Sequence, residues 1–259
     1  MNVDQSKINE FLYACKDAIE DDDWDSVFLN VANEGIFENG RRVLNLTEDE
    51  KIAVANVLLD NLDLKEIFSK IDRLPNDTFS GVKNENLKDL FLKCKVGEYS
   101  FEATNVEKLH ISTGAEATIG QSGFSTCKEL KEVTIEGQKI NLGSGAFSFC
   151  LNLKTVNFSD NPKELSINSK AFLRCKSLES INIPDNVDLY LGGLAFGACT
   201  NLKHIRLPNK FYYGGDCFMR CDNLVIDYDG SVYNLTTSMF ENEKEYVLLF
   251  AVMYGNINC

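Results

Sequence analysis

The chain reads as an α+β protein: a β-solenoid of about seven coils, preceded by a helical domain and closed by a helical C-terminal cap. Three observations predict this. From Phe79 onward a unit recurs every 22 to 25 residues. Each unit carries two short runs of alternating apolar and polar residues, the signature of strands with one buried face. The 76 residues before it follow the helical period instead. A unit this short cannot bury its own apolar face and must stack on its neighbours.

Residues 1–76 are expected to form four helices, as a domain or an N-terminal cap. Ile8, Phe11, Leu12, Cys15 and Ile19 share one helical face. Trp24, Val27, Phe28 and Val31 share the next, in a helix that Gly35 can end. Thr47 with Glu50 and Asp63 with Glu66 have capping-box spacing. The helices they open carry Ile52, Ala55, Leu58 and Leu59, then Ile67, Phe68 and Ile71, and Leu74-Pro75 stops the last one. The acidic run Glu20 to Asp23 with Asp25 lacks the Asp-x-Asp-x-Asp-Gly pattern of a calcium loop and reads as a solvated helix junction.

The solenoid occupies residues 77–230. Five copies place a Cys three and a Leu six residues after a Phe, at Phe124, Phe147, Phe172, Phe196 and Phe218. After the Leu comes one strand, as in Val133 and Ile135 or Ile181 and Ile183; before the Phe comes another, as in Ile140 and Leu142 or Leu189 and Leu191. A Gly four residues before the Phe, replaced once by Asn168, supplies a positive φ or a tight corner. Phe101 and Phe79 head two worn copies, as expected of terminal coils. Residues 231–259 are expected to cap the last coil: Ser238 with Glu241 opens a helix before the apolar run Tyr246 to Met253.

The pattern resembles the BspA-type, or Treponema-type, leucine-rich repeat family over residues 79–228. SGAFSFCLNLKTVNF followed by SKAFLRCKSLESINIP, within residues 144–184, carries the resemblance most closely. It departs from the ordinary leucine-rich repeat in lacking an Asn ladder, and the Pro after the strand survives only at Pro184 and Pro208. The resemblance implies a curved solenoid that binds proteins and implies no catalytic residue.

The residues argue the same way about chemistry. Five of the nine cysteines are locked to the Phe-plus-three position, and an odd total without a visible signal peptide points to buried reduced thiols. Only His110 and His204 are available as imidazoles, four coils apart and at different register positions, so no shared metal or nucleophile is expected. No Walker A, GxSxG or HExxH motif occurs, and no cofactor is expected. A net charge of −13, with eight Lys or Arg against seventeen Asp or Glu in residues 1–75, disfavours nucleic acid and anionic membranes as partners. Without a signal peptide or a run of 18 apolar residues, the expected location is cytoplasmic.

What remains is surface. The outward positions of the strand after the Leu run His110, Thr134, Asn157, Asn182, Arg206, with Lys108, Glu132, Thr155, Ser180, His204 beside them. Those of the other strand run Lys95, Thr118, Asn141, Ser166, Tyr190, Tyr212. The expected function is a non-enzymatic protein-protein interaction module, with Tyr190, Tyr212, His204, Arg206 and Asn182 as candidate partner contacts. A structural role in a homo-oligomer or larger, even viral, particle is the main alternative, and a surface adhesin the more distant one.

Overall fold

A computed structural model of the protein describes residues 3–38, 41–158, 162–228 and 231–234, so the expected C-terminal helix lies outside the described residues. The N-terminal helices are α1 (Gln5–Ala14), α2 (Lys16–Glu20), α3 (Trp24–Ala32), α4 (Glu48–Asn61) and α5 (Leu64–Ile67). The first expected helix is therefore two, with Cys15, at φ −86° and ψ −1°, as the C-cap of α1 and the N-cap of α2. The acidic run is a junction: Asp22 accepts from Trp24 Nε1 at 3.1 Å and pairs with Lys70 at 2.9 Å, while Asp23 caps α3.

The expectation of four helices also missed a hairpin. Glu34 at φ +55°, rather than Gly35, turns the chain out of α3, and β1 (Gly35–Glu38) pairs antiparallel with β2 (Arg41–Asn45). Gly35 serves close approach, because a Cβ there would stand 2.2 Å from the Leu44 carbonyl oxygen. Thr47 and Glu50 form the expected reciprocal capping box, with Glu50 accepting from the Thr47 N–H at 2.8 Å. At α5 the cap is one-sided: Asp63 accepts from two N–H groups, but the Glu66 side chain pairs with Lys70. The helix stops at Ile67, and Leu74, expected at its end, lies in a strand.

That strand begins the solenoid. β3 (Arg73–Leu74), β5 (Lys95–Val96), β7 (Glu116–Ile119), β9 (Lys139–Leu142), β11 (Glu164–Ile167), β13 (Asp188–Leu191) and β15 (Phe211–Tyr213) make a seven-stranded parallel sheet. β4 (Asp89–Leu92), β6 (Lys108–Ser112), β8 (Glu132–Glu136), β10 (Thr155–Phe158), β12 (Ser180–Asn182), β14 (His204–Arg206) and β16 (Val225–Tyr228) make the second sheet, which β17 (Ser231–Asn234) extends antiparallel. Each coil contributes one strand to each sheet, and the inward side chains of both share one core with the helices.

The Phe-bearing arc closes each coil. Seven Phe rings from Phe79 to Phe218 stack in a column with centroids 4.9 to 5.6 Å apart, and beyond Phe101 the planes lie within 12° of one another. Phe28 and Phe68 of the helical part meet Phe79 edge-on, so the column continues into the N-terminal core. Along the arc, residues two before and two after every Phe adopt positive φ, from Asp77 and Gly81 to Asp216 and Arg220. Thr126 and Phe149 do so despite bulky side chains, a conformation that costs about 1–2 kcal/mol per residue. The cost is offset because alternation turns every second N–H toward the next coil: Tyr99, Phe101 and Ala103 donate to the carbonyls of Gln121, Gly123 and Ser125 at 2.8–2.9 Å.

The glycines four before the Phe are not the positive-φ residues. Gly97, Gly120, Gly143, Gly192 and Gly214 instead let one coil touch the next, since a Cβ would fall 2.2 to 2.7 Å from backbone atoms of the preceding coil. Asn168 replaces glycine by making contact: its Nδ2 donates to Asn141 Oδ1 and the Leu142 carbonyl, both at 2.8 Å.

The Phe-plus-three cysteines form a second column, each donating its S–H to a Phe carbonyl one coil back. Cys127 reaches Phe101 O at 3.1 Å, Cys175 reaches Phe147 O at 3.2 Å and Cys221 reaches Phe196 O at 3.1 Å. In the worn coil Thr104 takes the position and its hydroxyl lies 3.3 Å from Cys127 Sγ. Burial pushes the Cys127 thiol up to about 11 and Cys94, Cys217 and Cys221 up to about 12.

Two outcomes follow. Phe172→Ala should cost about 3–5 kcal/mol and speed hydrogen exchange in the flanking coils around Phe147 and Phe196; exchange changes confined to one coil would break the stacked-core account. The raised thiols stabilise the fold fully below the unfolded value of about 8.5 and lose that contribution as pH climbs through their folded values. Stability to urea should therefore fall between about pH 9 and 11 in step with thiol reactivity, and a Cys127→Ser, Cys150→Ser, Cys175→Ser variant should show a shallower alkaline slope.

Candidate interaction surface

The outward faces of the two sheets look away from the core they share, so the candidate residues divide by sheet. Tyr190 on β13 and Tyr212 on β15 are register partners in the seven-stranded sheet. They are 42% and 63% exposed, on a strand pair whose Leu189 and Leu191 are fully buried. Asn182, His204 and Arg206 are exposed on β12 and β14 of the other sheet. The structure thus brings the tyrosines together but separates them from the remaining three. Arg206 Nε pairs with Asp185 Oδ1 at 3.2 Å, and Asp227 is its register partner on β16.

The seven-stranded face has a simple layout because every coil repeats its register. Six residues before each Phe stands one outward ladder: Arg73, Lys95, Thr118, Asn141, Ser166, Tyr190 and Tyr212. It starts cationic, crosses three small uncharged residues and ends aromatic. Beside it Glu116, Lys139, Glu164, Asp188 and Lys210 form a charged ladder that largely neutralises itself. Lys95 pairs with Glu116 at 2.6 Å, Lys139 with Glu164 at 2.9 Å and Lys210 with Asp188 at 2.6 Å. These hydrogen bonds hold the Glu116 carboxyl below its ordinary range and the Lys139 and Lys210 ammonium groups above theirs.

The other face is chemically different. Its ladder runs Phe91, His110, Thr134, Asn157, with the His110 ring edge-on to Phe91 at 4.8 Å and Nε2 3.3 Å from Glu136 Oε1. His110 is thereby a packing residue between strands. His204 lies on β14 with Ser180 and Val225 as register partners.

Sequence reasoning missed other exposed groups. Leu29, Phe37 and Val43 on α3 and the hairpin are exposed, with Arg42 over the Phe37 ring at 5.1 Å. Arg73 heads the outward ladder of the seven-stranded sheet; counting six back from Phe79 would have found it. Among the described residues no helix is long and apolar enough to cross a membrane, and no group of three or more His, Cys, Asp or Glu is placed to hold a metal ion.

Comparison with known proteins fits this geometry. A leucine-rich repeat protein from Bacteroides ovatus is 24% identical, with a TM-score of 0.50 over 64% of this chain and 41% of its own. A leucine rich cell surface protein from Faecalibacterium prausnitzii is 21% identical over 63% of this chain and 44% of its own, with a TM-score of 0.34. The chain thus spans less than half the length of either protein, and its likeness to the first concerns the fold alone. No curated protein matches it. The sequence matches the BspA type leucine rich repeat region in six copies, over residues 54–166 and 118–247. Proteins of this repeat class are typically interaction modules without enzymatic activity, and the chain belongs to the BspA type leucine-rich repeat family.

Proposed function

We propose that the chain is a non-enzymatic module that binds a partner protein along the outward face of its seven-stranded sheet. The observation that carries this is Tyr190 beside Tyr212, two large aromatics left exposed on adjacent strands where three preceding coils place only Thr118, Asn141 and Ser166. Aromatic side chains bring large contact area at low conformational cost and dominate interface energetics. The ion-paired ladder beside them supplies a polar rim whose charges already have partners, so docking strands few of them without a counter-charge. His204, Arg206 and Asn182 belong to the second sheet, so a partner lying flat on the first reaches the tyrosines alone.

The test is affinity capture from the native host with size measurement, followed by dissociation kinetics on the captured partner. Tyr190→Ala with Tyr212→Ala should leave the circular dichroism spectrum and melting temperature near wild type, because both side chains project from the core. Dissociation should speed at least tenfold, about 1.4 kcal/mol. His204→Ala with Arg206→Ala should change it less than threefold. Unchanged dissociation in the tyrosine variant would refute the face. Capture of further copies of the chain alone would support assembly into a homo-oligomer instead.

A further inference from the structure

Where the two sheets meet over the first coils, a cavity of about 400 Å³ opens to solvent. It is lined by Arg73, Lys93 and Lys95 from successive turns, together with Thr113, Ala115 and the acidic residues Asp72 and Glu116. Three cations against two carboxylates leave a local excess of one positive charge, on a chain whose net charge is −13. Glu116 Oε2 fixes Lys95 Nζ at 2.6 Å. Arg73 and Lys93 form no ion pair among the described residues, and Lys93 instead lies 6.0 Å over the Phe91 ring. Thr113 Oγ1 is withdrawn from water without a hydrogen-bond partner, an unusual state for a hydroxyl.

The geometry points to an oxyanion-binding pocket that takes an acidic side chain of a partner polypeptide. A carboxylate fits on three grounds. A planar guanidinium offers two parallel donors to a carboxylate. The cavity, at the small end of ligand pockets, has room for an acidic side chain. A chain of net charge −13 repels acidic groups on average, so a basic pocket favours where such a group lands. Arg73 and Lys95 also start the ladder that Tyr190 and Tyr212 end. Six strand spacings separate Arg73 from Tyr212, roughly 29 Å, which an extended partner of about nine residues spans. The identity of the occupant rests on the protein-binding reading; the pocket itself does not.

The experiment titrates the intact protein with a terminally blocked hexaglutamate peptide and, separately, with inorganic phosphate, following backbone amide shifts at two salt concentrations. Peptide shifts clustered at residues 72–73, 93–96 and 113–116, weakened about tenfold by Arg73→Gln and by added salt, support the pocket. Displacement of the peptide by phosphate at those amides supports its oxyanion chemistry. Arg73 is exposed, so Arg73→Gln should fold normally; Thr113→Val, of equal shape, should weaken binding severalfold. No shift at millimolar peptide, shifts unaltered in Arg73→Gln, or phosphate binding without peptide binding would each overturn the proposal. Tyr212→Ala should leave peptide binding intact, which separates failure here from failure of the tyrosine face.

Discussion

The column of Phe rings is the constraint on which the rest depends. A coil of 22 to 25 residues has no core of its own, and its central ring is buried only because another ring lies on each side. Stacking at 4.9 to 5.6 Å fixes the coil spacing, and with it everything set by spacing. Strand pairing, the approach at Gly120 and Gly143, and the S–H to carbonyl bonds all work only at that repeat. Each coil also accepts left-handed backbone at two places, a local strain that only a neighbouring coil's carbonyls relieve. Inward positions are therefore strongly fixed, while outward positions are free to vary.

That division explains why the two faces differ although the coils are alike. On the seven-stranded sheet most charges find an opposite sign on a neighbouring strand, Lys95 with Glu116, Lys139 with Glu164 and Lys210 with Asp188, while Glu164 beside Asp188 and Arg73 beside Lys95 are like-charged neighbours. Exposed pairs of this kind add little stability individually. Their effect is to leave the neighbouring ladder as the chemically distinctive line on the face, graded from cation to aromatic.

Most of the solenoid was legible in the sequence because one spacing encodes stacking, strand register and burial together. Phe, Cys and Leu at fixed offsets placed the arc, and the alternation of Ile140 with Leu142 placed the strand. The helical part was harder, since each of its elements occurs once. The hairpin carried its own signal, Asn39-Gly40 between Ile36-Phe37 and Val43-Leu44, which the search for helical period passed over. Gly97 and its equivalents were legible as glycines but not as to cause, because positive φ and close approach leave the same letter in a sequence. Thr104 hid the cysteine column's continuation, because a hydroxyl takes the thiol's position with a different letter. The tyrosines were found as outward residues; their separation from His204 and Arg206 depends on which sheet each strand joins, and the repeat count alone does not show that two outward faces are different surfaces.

The helical part is joined to the solenoid as an extension of its core. Phe28 and Phe68 cover Phe79 edge-on, and Asn84 Nδ2 donates to Asn56 Oδ1 and Asp60 Oδ1 on or beside the run of α4, at 3.0 and 2.9 Å. An open solenoid end would expose the last ring and the last row of backbone donors and acceptors. Here the ring is sealed by two more aromatics and the junction by side-chain amides. The first coil is thereby packed against the helical part on one side and the second coil on the other, although Arg73 itself stands on a two-residue edge strand paired on one side only. A binding group at the frayed end of a repeat array would lose its geometry to local opening. Placing the cationic end of the outward ladder against the helical part opposes that loss, so that under the proposed pocket the N-terminal helices would support recognition without touching a partner.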